Sequence, residues 1–106
     1  MNFRLCRADD IAPGQIGAGL LPDGKKVAIY NVDGAFFVTD DVCTHGQASL
    51  SEGGILDGCL VECGWHFGAF DVTTGQPAAS PCTEPLRTYP AIIEGGDVFI
   101  ELADAD

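Results

Sequence analysis

The hydrophobic positions of the chain fall in short runs that lack a helical period. Residues 25–32 are rich in β-forming side chains, and residues 35–39 form a second run of this kind. Between the two runs stands Asp33-Gly34, a pair that readily adopts the positive φ angles of a two-residue turn. The pattern therefore predicts a β-hairpin over residues 25–39.

A second hairpin is predicted near the C-terminal end. Residues 88–93 and 97–102 flank Gly95-Gly96, which is another turn pair. Because proline has no amide hydrogen to donate to a neighbouring strand, Pro90 predicts that the first of these strands lies at a sheet edge or contains a bulge.

The rest of the pattern indicates an all-β domain. Further strands are predicted at residues 3–6, 60–62 and 69–72, and helical turns are expected only at 9–11 and 48–50. Strands about ten residues apart, separated by glycine and proline, are typical of a β-sandwich or a small β-barrel. The 106 residues suffice for a single domain, residues 1–106, with a modest core.

The charge of the chain limits its partners. Five Lys and Arg residues stand against sixteen Asp and Glu residues, a formal net charge of -11. Such a surface repels phosphate groups, so we expect no binding to nucleic acid or to an anionic membrane, whereas a basic protein partner fits. No apolar run reaches the roughly 18 residues of a membrane helix and no signal peptide is recognised, so we expect a soluble cytoplasmic protein. High like charge also favours a monomer.

Five cysteines, an odd number, are the next informative feature. In a chain without a recognisable secretory signal, this count disfavours a disulfide scaffold. Two of the five, Cys43 and Cys63, lie close to the only two histidines of the sequence.

Each of these two cysteines forms a short motif with one histidine, Cys43-Thr44-His45 and Cys63-Gly64-Trp65-His66. Both motifs follow a predicted strand, so we expect both in loops that a β-scaffold can aim at a common point. In an extended segment, residues i and i+2 point to the same side roughly 6 to 7 Å apart, which lets Cys43 and His45 reach neighbouring metal atoms. Two thiolates and two imidazoles arranged in this way suit a binuclear centre.

Zinc is the chemical alternative, because it binds the same four side chains tetrahedrally. The usual spacing in structural zinc sites pairs Cys with Cys and His with His, whereas each motif here mixes the two. The mixed spacing favours a [2Fe-2S] cluster with both cysteines on one iron and both histidines on the other. Under the zinc interpretation, the chain would be a zinc-stabilised β interaction module without redox activity.

The pattern Cys-x-His, 17 residues, Cys-x-x-His resembles the Rieske [2Fe-2S] signature, and the similarity continues through residues 68–71 and the strands beyond. The whole chain is similar to Rieske ferredoxins, the small electron carriers of bacterial aromatic-ring-hydroxylating dioxygenase systems. The resemblance implies stacked antiparallel β-sheets, three in number, with two cluster-binding loops at one tip. It also implies that Cys43 and Cys63 ligate the inner iron and that His45 and His66 ligate the outer iron.

Departures from the signature distinguish branches of the family. Neither motif contains the extra cysteine that forms a disulfide in respiratory and photosynthetic Rieske proteins. Gly68 and Phe70 stand where those proteins have hydroxyl donors to the cluster, which implies a reduction potential near the low end of the Rieske range, about -150 mV. Gly46 stands where oxygenase subunits usually have Arg or Lys, so the resemblance favours the separate ferredoxin.

Three further positions can be interpreted only through the resemblance. Trp65 and Phe67 bracket His66, and they serve either as packing residues or as an apolar docking patch for partner proteins. Pro81 belongs to a segment similar to the proline-containing loop that covers the cluster in this family. The three cysteines that match no ligand position are expected to be structural: Cys6, Cys59 and Cys82.

The function implied by the resemblance is electron transfer without substrate chemistry. A ferredoxin of this type takes single electrons from an NAD(P)H-dependent flavin reductase and passes them to a terminal ring-hydroxylating oxygenase. The alternative within the family is a small Rieske subunit of a nitrite-reductase-type complex, which the ligand motif alone does not exclude.

Overall fold

The computed structural model of the protein describes residues 2–42, 49–62, 68–79 and 85–101. Within these ranges the chain forms eleven β-strands and one short α-helix. The elements are β1 (Asn2–Arg7), β2 (Ile16–Leu20), β3 (Lys26–Val32), β4 (Ala35–Asp40), α1 (Leu50–Gly53), β5 (Ile55–Asp57), β6 (Leu60–Glu62), β7 (Ala69–Asp71), β8 (Pro77–Ala79), β9 (Thr88–Tyr89), β10 (Ala91–Glu94) and β11 (Asp97–Glu101). A 3-10 turn at Ala8–Asp10 follows β1.

The strands build three antiparallel sheets. The first sheet has the order β1-β11-β10, the second β2-β3-β4-β9 and the third β5-β6-β7-β8. Every pairing within them is antiparallel. The all-β class and the three antiparallel sheets expected from the resemblance are therefore confirmed.

The second sheet is the middle layer, and β3 shows why. All five residues from Val27 to Asn31 are buried, so neither face of this strand meets solvent. Alternate side chains enter two different cores: Val27 and Ile29 pack with residues of the first sheet, whereas Ala28 and Tyr30 pack with residues of the third. A continuous apolar run such as that of β3 is what a strand covered on both faces requires.

Both predicted hairpins are confirmed. Asp33 has a φ angle of 53° and Gly34 one of 95°, and the turn joins β3 to β4. Gly95 and Gly96 have φ angles of 58° and 82°, and their turn joins β10 to β11. Positive φ at both turn positions matches the right-handed twist of the flanking strands.

The predicted strand 88–93 is in fact divided at Pro90. Its first part, β9, pairs with β4 at one edge of the second sheet, and its second part, β10, pairs with β11 at one edge of the first sheet. Since Pro90 cannot donate to a ladder, it occupies the corner between two edge strands, in agreement with the edge position that was predicted.

Three strands were not predicted: β2, β5 and β8. The predicted helical turns fare better, because the 3-10 turn overlaps residues 9–11 and α1 begins at Leu50. In the part of the chain that the structure describes, no helix has the length and apolar character needed to cross a membrane.

Candidate functional site

The residues predicted to bind the cluster lie outside the described part of the chain. They fall in three segments, which we call the first motif segment (residues 43–48), the second motif segment (63–67) and the proline segment (80–84). These segments contain the predicted ligands and the associated positions Cys43, His45, Gly46, Cys63, Trp65, His66, Phe67 and Pro81, together with Cys82. The structure describes the framework at which each segment starts and ends.

The second motif segment and the proline segment start at the same end of the third sheet. Glu62, the last residue of β6, is paired with Ala69, the first residue of β7, and Ala69 is paired with Ala79, the last residue of β8. The three residues thus form one row across neighbouring strands. The second motif segment connects the first two members of this row, and the proline segment continues from the third.

The first motif segment leaves and rejoins the framework beside that row. An antiparallel bridge between Val42 and Ser49 joins its two ends. The Leu50 carbonyl, one residue later, accepts a hydrogen bond of 3.0 Å from the Gly54 amide. A Cβ atom on Gly54 would lie only 2.5 Å from that carbonyl oxygen and 3.3 Å from the carbonyl oxygen of Glu62, so the absence of a side chain permits this close packing. Leu50, which follows the first motif segment, and Glu62, which precedes the second, are therefore close neighbours.

One buried core holds this end of the molecule together. Leu50 from α1, Val61 from β6 and Phe70 from β7 are each 0% exposed and belong to the same cluster, which also includes Tyr30 from the middle sheet. Apolar burial of this kind stabilises the arrangement of α1, β6 and β7. It thereby fixes the points at which the two motif segments begin and end.

Asp41 lies at the base of the first motif segment, where the chain enters and leaves that segment. Its side chain is almost fully buried, and the residue is 1% exposed. Its Oδ2 accepts a hydrogen bond of 2.6 Å from the Ser49 hydroxyl, and its Oδ1 accepts one of 2.8 Å from the Ser51 amide. Its carbonyl oxygen accepts a third bond, of 2.8 Å, from the Leu50 amide. Burial opposes ionisation of the carboxyl group, but the bonds from Ser49 and Ser51 and the charge of Lys26 outweigh it and lower the pKa of Asp41.

Asp40, the neighbouring residue, holds the chain that follows the proline segment. Its amide donates to the Arg87 carbonyl at 3.0 Å, and its Oδ1 accepts a bond of 2.6 Å from the Tyr89 hydroxyl. Burial, together with this bond, raises the pKa of Tyr89, so the hydroxyl remains a donor throughout the physiological range. Lys25 completes the set with an ion pair of 3.1 Å to the other carboxylate oxygen of Asp40.

Gly75 provides a second anchor for the same stretch of chain. Its carbonyl accepts a hydrogen bond of 2.7 Å from the Leu86 amide, and its φ angle is 79°. A Cβ atom here would lie 2.2 Å from the Leu86 carbonyl oxygen. Only glycine fits both the positive φ and this close approach of two backbone segments.

The framework therefore brings the residues that flank the two motif segments, and the residue that precedes the proline segment, to one end of the molecule. This placement suits the donor set that the two motif segments carry. Among the described residues, no group of three or more His, Cys, Asp or Glu side chains is placed to hold a metal ion. Two thiolates and two imidazoles from adjoining segments fit a [2Fe-2S] cluster with mixed ligation.

The two cysteines that the structure describes lie away from this end. Cys59 is exposed in the turn that joins β5 to β6, so β6 separates it from Cys63. Cys6 lies in β1 of the first sheet, opposite Val98. Burial, with a smaller contribution from the Asp10 carboxylate, raises the pKa of the Cys6 thiol, which disfavours the thiolate form. Cys6 is half-buried whereas Cys59 is exposed, and the structural role expected for both stays a prediction.

Sequence reasoning missed Asp41, Asp40 and Gly75. The sequence around α1 gives no sign of Asp41, because Ser49 occupies the N-cap position and would be expected to cap the helix itself. In the structure, Ser49 makes no side-chain capping bond. The carboxylate of Asp41, which directly follows β4, accepts a hydrogen bond from the Ser51 amide instead. A capping group supplied by a distant strand leaves no pattern in the local sequence.

The chain is similar to known proteins over most of its length. The family model for the Rieske [2Fe-2S] domain matches residues 1–90. The ferredoxin component of the p-cumate 2,3-dioxygenase system of Pseudomonas putida is 55% identical over 98 residues, which cover 92% of this chain and 83% of that protein. The biphenyl dioxygenase ferredoxin subunit of Pseudomonas sp. strain KKS102 is 50% identical over 106 residues, which cover 99% of this chain and 96% of that protein.

A solved structure is similar over the same extent. A chain in the complex of reduced oxygenase and oxidized ferredoxin in carbazole 1,9a-dioxygenase superposes on this one with a TM-score of 0.87. The two chains are 44% identical, and the match covers 93% of this chain and 91% of the other.

Proposed function

This chain belongs to the Rieske [2Fe-2S] domain family, and we propose on that basis that it is the ferredoxin component of an aromatic-ring-hydroxylating dioxygenase system. It carries one Rieske-type [2Fe-2S] cluster and transfers electrons without catalysing substrate chemistry itself. The observation that carries the proposal is the 50% identity to a dioxygenase ferredoxin subunit over 99% of this chain.

Cys43 and Cys63 are the proposed ligands of one iron, and His45 and His66 are the proposed ligands of the other. When bound, the cluster supplies a site that accepts and releases one electron at a time. The contribution of the chain is to hold the two motif segments side by side through α1, β6 and β7. Trp65, Phe67 and Pro81 are proposed to surround the cluster, and Gly46 keeps the first motif segment free of a large side chain.

The partners follow from the same assignment. A flavin-containing, NAD(P)H-dependent reductase delivers electrons to the protein, and a terminal oxygenase receives them. A structure in which an oxygenase and a ferredoxin form one complex supports the second contact. The nitrite-reductase-type alternative is disfavoured, because both curated relatives reported above are components of dioxygenase systems. The family match likewise disfavours the zinc-stabilised interaction module.

The reduction potential is proposed to be low for a Rieske protein. Gly68 and Phe70 are buried, and the Phe70 ring packs in the core beneath the motif segments. Neither side chain carries a hydroxyl that could donate to the cluster and stabilise the added electron. We place the potential at about -150 mV, near the lower end of the Rieske range.

Three further properties complete the proposal. Residues 1–106 form a single domain, which is supported by a core in which Val98 and Ile100 of the first sheet pack with Val27, Ile29 and Val38 of the second. The protein is a monomer in the cytoplasm and binds neither nucleic acid nor membrane. The net charge of -11 supports the absence of anionic ligands.

Reconstitution with defined partners tests the proposed function. The purified protein is mixed with NADH and the reductase of the biphenyl or p-cumate dioxygenase system, and the visible and EPR spectra of the cluster are followed. We expect NADH-dependent reduction, then reoxidation when the matching oxygenase and its substrate are added. A cluster that dithionite reduces but neither reductase reduces would contradict the proposed partners. A colourless protein containing zinc would contradict the whole assignment.

Salt is expected to slow electron transfer from the reductase. The outer face of the β5–β6 pair carries two carboxylates, Glu62 beside the second motif segment and Asp57 at the opposite end of the pair, together with the exposed side chains of Ile55 and Leu60. Raising the salt concentration from 20 to 300 mM should lower the second-order rate constant by roughly tenfold, because it screens attraction to a basic partner. Stopped-flow absorbance measures this rate constant.

A matched pair of double variants locates the effect. The first variant combines Asp57→Asn with Glu62→Gln, and the second combines Glu94→Gln with Glu101→Gln. Both variants remove the same charge, but the residues of the second lie on the first sheet. We expect the first double variant to reduce the salt dependence more than the second. If the rate constants of the two double variants fall equally with salt concentration, net charge alone steers association. If the rate constant of the unmodified protein does not change with salt concentration, electrostatic steering is excluded.

A further inference from the structure

We propose that Asp41 is a positioning residue for the cluster: it fixes the base of the first motif segment and thereby controls cluster retention and reduction potential. The inference rests on the proposed function, because it requires Cys43 and His45 to be ligands. It assigns a role to a side chain that the electron-transfer function itself does not use.

The geometry places Asp41 at both ends of the segment. It lies two residues before Cys43 in the chain, and three of its hydrogen bonds reach Ser49, Leu50 and Ser51, which follow the segment. The bonds use both carboxylate oxygens and the carbonyl oxygen of the same residue. A single buried residue thus joins the chain that enters the segment to the chain that leaves it.

Closing a short segment at its base restricts the positions that its interior can adopt. The two proposed ligands in the first motif segment lie between the closed ends, so the base determines where their side chains can reach the cluster. The Val42–Ser49 bridge provides backbone closure at the same place. The carboxylate adds a bond to the Ser49 side chain and another to the first turn of α1.

The carboxylate suits this position better than an amide would. It accepts two donors, the Ser49 hydroxyl at Oδ2 and the Ser51 amide at Oδ1, whereas an asparagine can accept at only one of its two terminal atoms. Lys26 lies 3.8 Å from Oδ2 and partly balances the buried charge, while it also forms an ion pair of 2.6 Å with Glu52. The site is thus built for a charged acceptor of two bonds.

Two variants of the cluster-loaded protein test the proposal. Asp41→Asn removes the charge and one acceptor, and Ser49→Ala removes one of the bonds while leaving the charge in place. Two controls accompany them. Glu52→Gln weakens the other contact of Lys26, and Val98→Ala destabilises the core between the first and second sheets.

For each protein, iron content, the half-life of visible absorbance with excess chelator, the midpoint potential and the far-UV unfolding midpoint are measured. We expect Asp41→Asn to lose its cluster about tenfold faster than the unmodified protein, with Ser49→Ala intermediate between the two. The midpoint potential of Ser49→Ala should also shift although its charge is unchanged. The half-lives of visible absorbance of Glu52→Gln and Val98→Ala should stay within about twofold of that of the unmodified protein. For this comparison, each protein is measured the same interval below its own unfolding midpoint.

The possible failures are distinguishable. Unchanged half-lives and potentials in Asp41→Asn and Ser49→Ala would overturn this inference alone. Equally fast cluster loss in Val98→Ala would also overturn it, because the effect would then reflect general stability. An unmodified protein that contains no iron would overturn both the proposed function and this inference.

Discussion

Replacing Cys63 by alanine is expected to give a protein without visible colour and without bound iron. Removing one thiolate leaves an iron with an open position, and a [2Fe-2S] cluster needs all four protein ligands for stable binding. The loss should appear as iron content near zero and as the absence of an EPR signal after dithionite reduction. Cys43→Ala should behave in the same way.

Cys59 provides a matched control for this experiment. Cys59 immediately precedes β6 in the sequence and Cys63 immediately follows it, so each substitution removes one thiol next to the same strand. Because Cys59 is exposed and lies away from the motif segments, Cys59→Ala should keep its full iron content. A coloured Cys63→Ala protein, or a colourless Cys59→Ala protein, would show that the ligands have been assigned wrongly.

Replacing Phe70 by alanine is expected to lower the free energy of unfolding by about 3–5 kcal/mol. The side chain is fully buried, and it packs with Leu50, Val61 and Tyr30 beneath the motif segments. Alanine would leave a cavity between the second and third sheets that the surrounding strands can fill only in part. Urea unfolding followed by far-UV circular dichroism measures the change.

Ile55→Ala serves as the control for this loss, since Ile55 belongs to the same sheet but is 60% exposed. Its replacement should cost no more than about 0.5 kcal/mol. Cluster loss from Phe70→Ala should also accelerate, because Phe70 fixes the strands that flank the second motif segment. Equal unfolding midpoints for the two variants would show that this core does not stabilise the cluster end.

The strands that the sequence predicts best are those whose turns have their own chemistry. Asp33-Gly34 and Gly95-Gly96 adopt positive φ angles with little strain, so they indicate a hairpin whatever the rest of the chain does. The division at Pro90 was predictable only in part, because proline excludes a central position but does not say that two different sheets meet there.

The missed strand β2 has a clear physical origin. Its sequence, Ile-Gly-Ala-Gly-Leu, has little intrinsic preference for a strand. A Cβ atom on Gly17 would lie 2.5 Å from Cδ1 of Ile11, so a larger residue here would require the Ile11 side chain to move. Strand β8, Pro-Ala-Ala, likewise lacks β-forming side chains, and in β5, Ile-Leu-Asp, only the isoleucine strongly favours a strand.

The candidate site shows the same division between local and distant causes. The two Cys and His motifs could be recognised from sequence because the ligand types and their spacing are local properties. Asp41 and Gly75 could not, because their roles depend on Lys26 and Leu86, which are brought near only by the fold. The identity of the proposed ligands can thus be predicted from local sequence, whereas the residues that position the motif segments can be identified only from the folded structure.

The position of β3 between two cores affects how fast its backbone amides exchange with solvent. Backbone amides of a strand that is covered on both faces can exchange with solvent only when large parts of the structure open. The motif segments, in contrast, are joined to the framework at the ends of strand pairings, Val42 with Ser49 and Glu62 with Ala69. We therefore expect the backbone amides at these strand ends to exchange with solvent faster than the amides of β3.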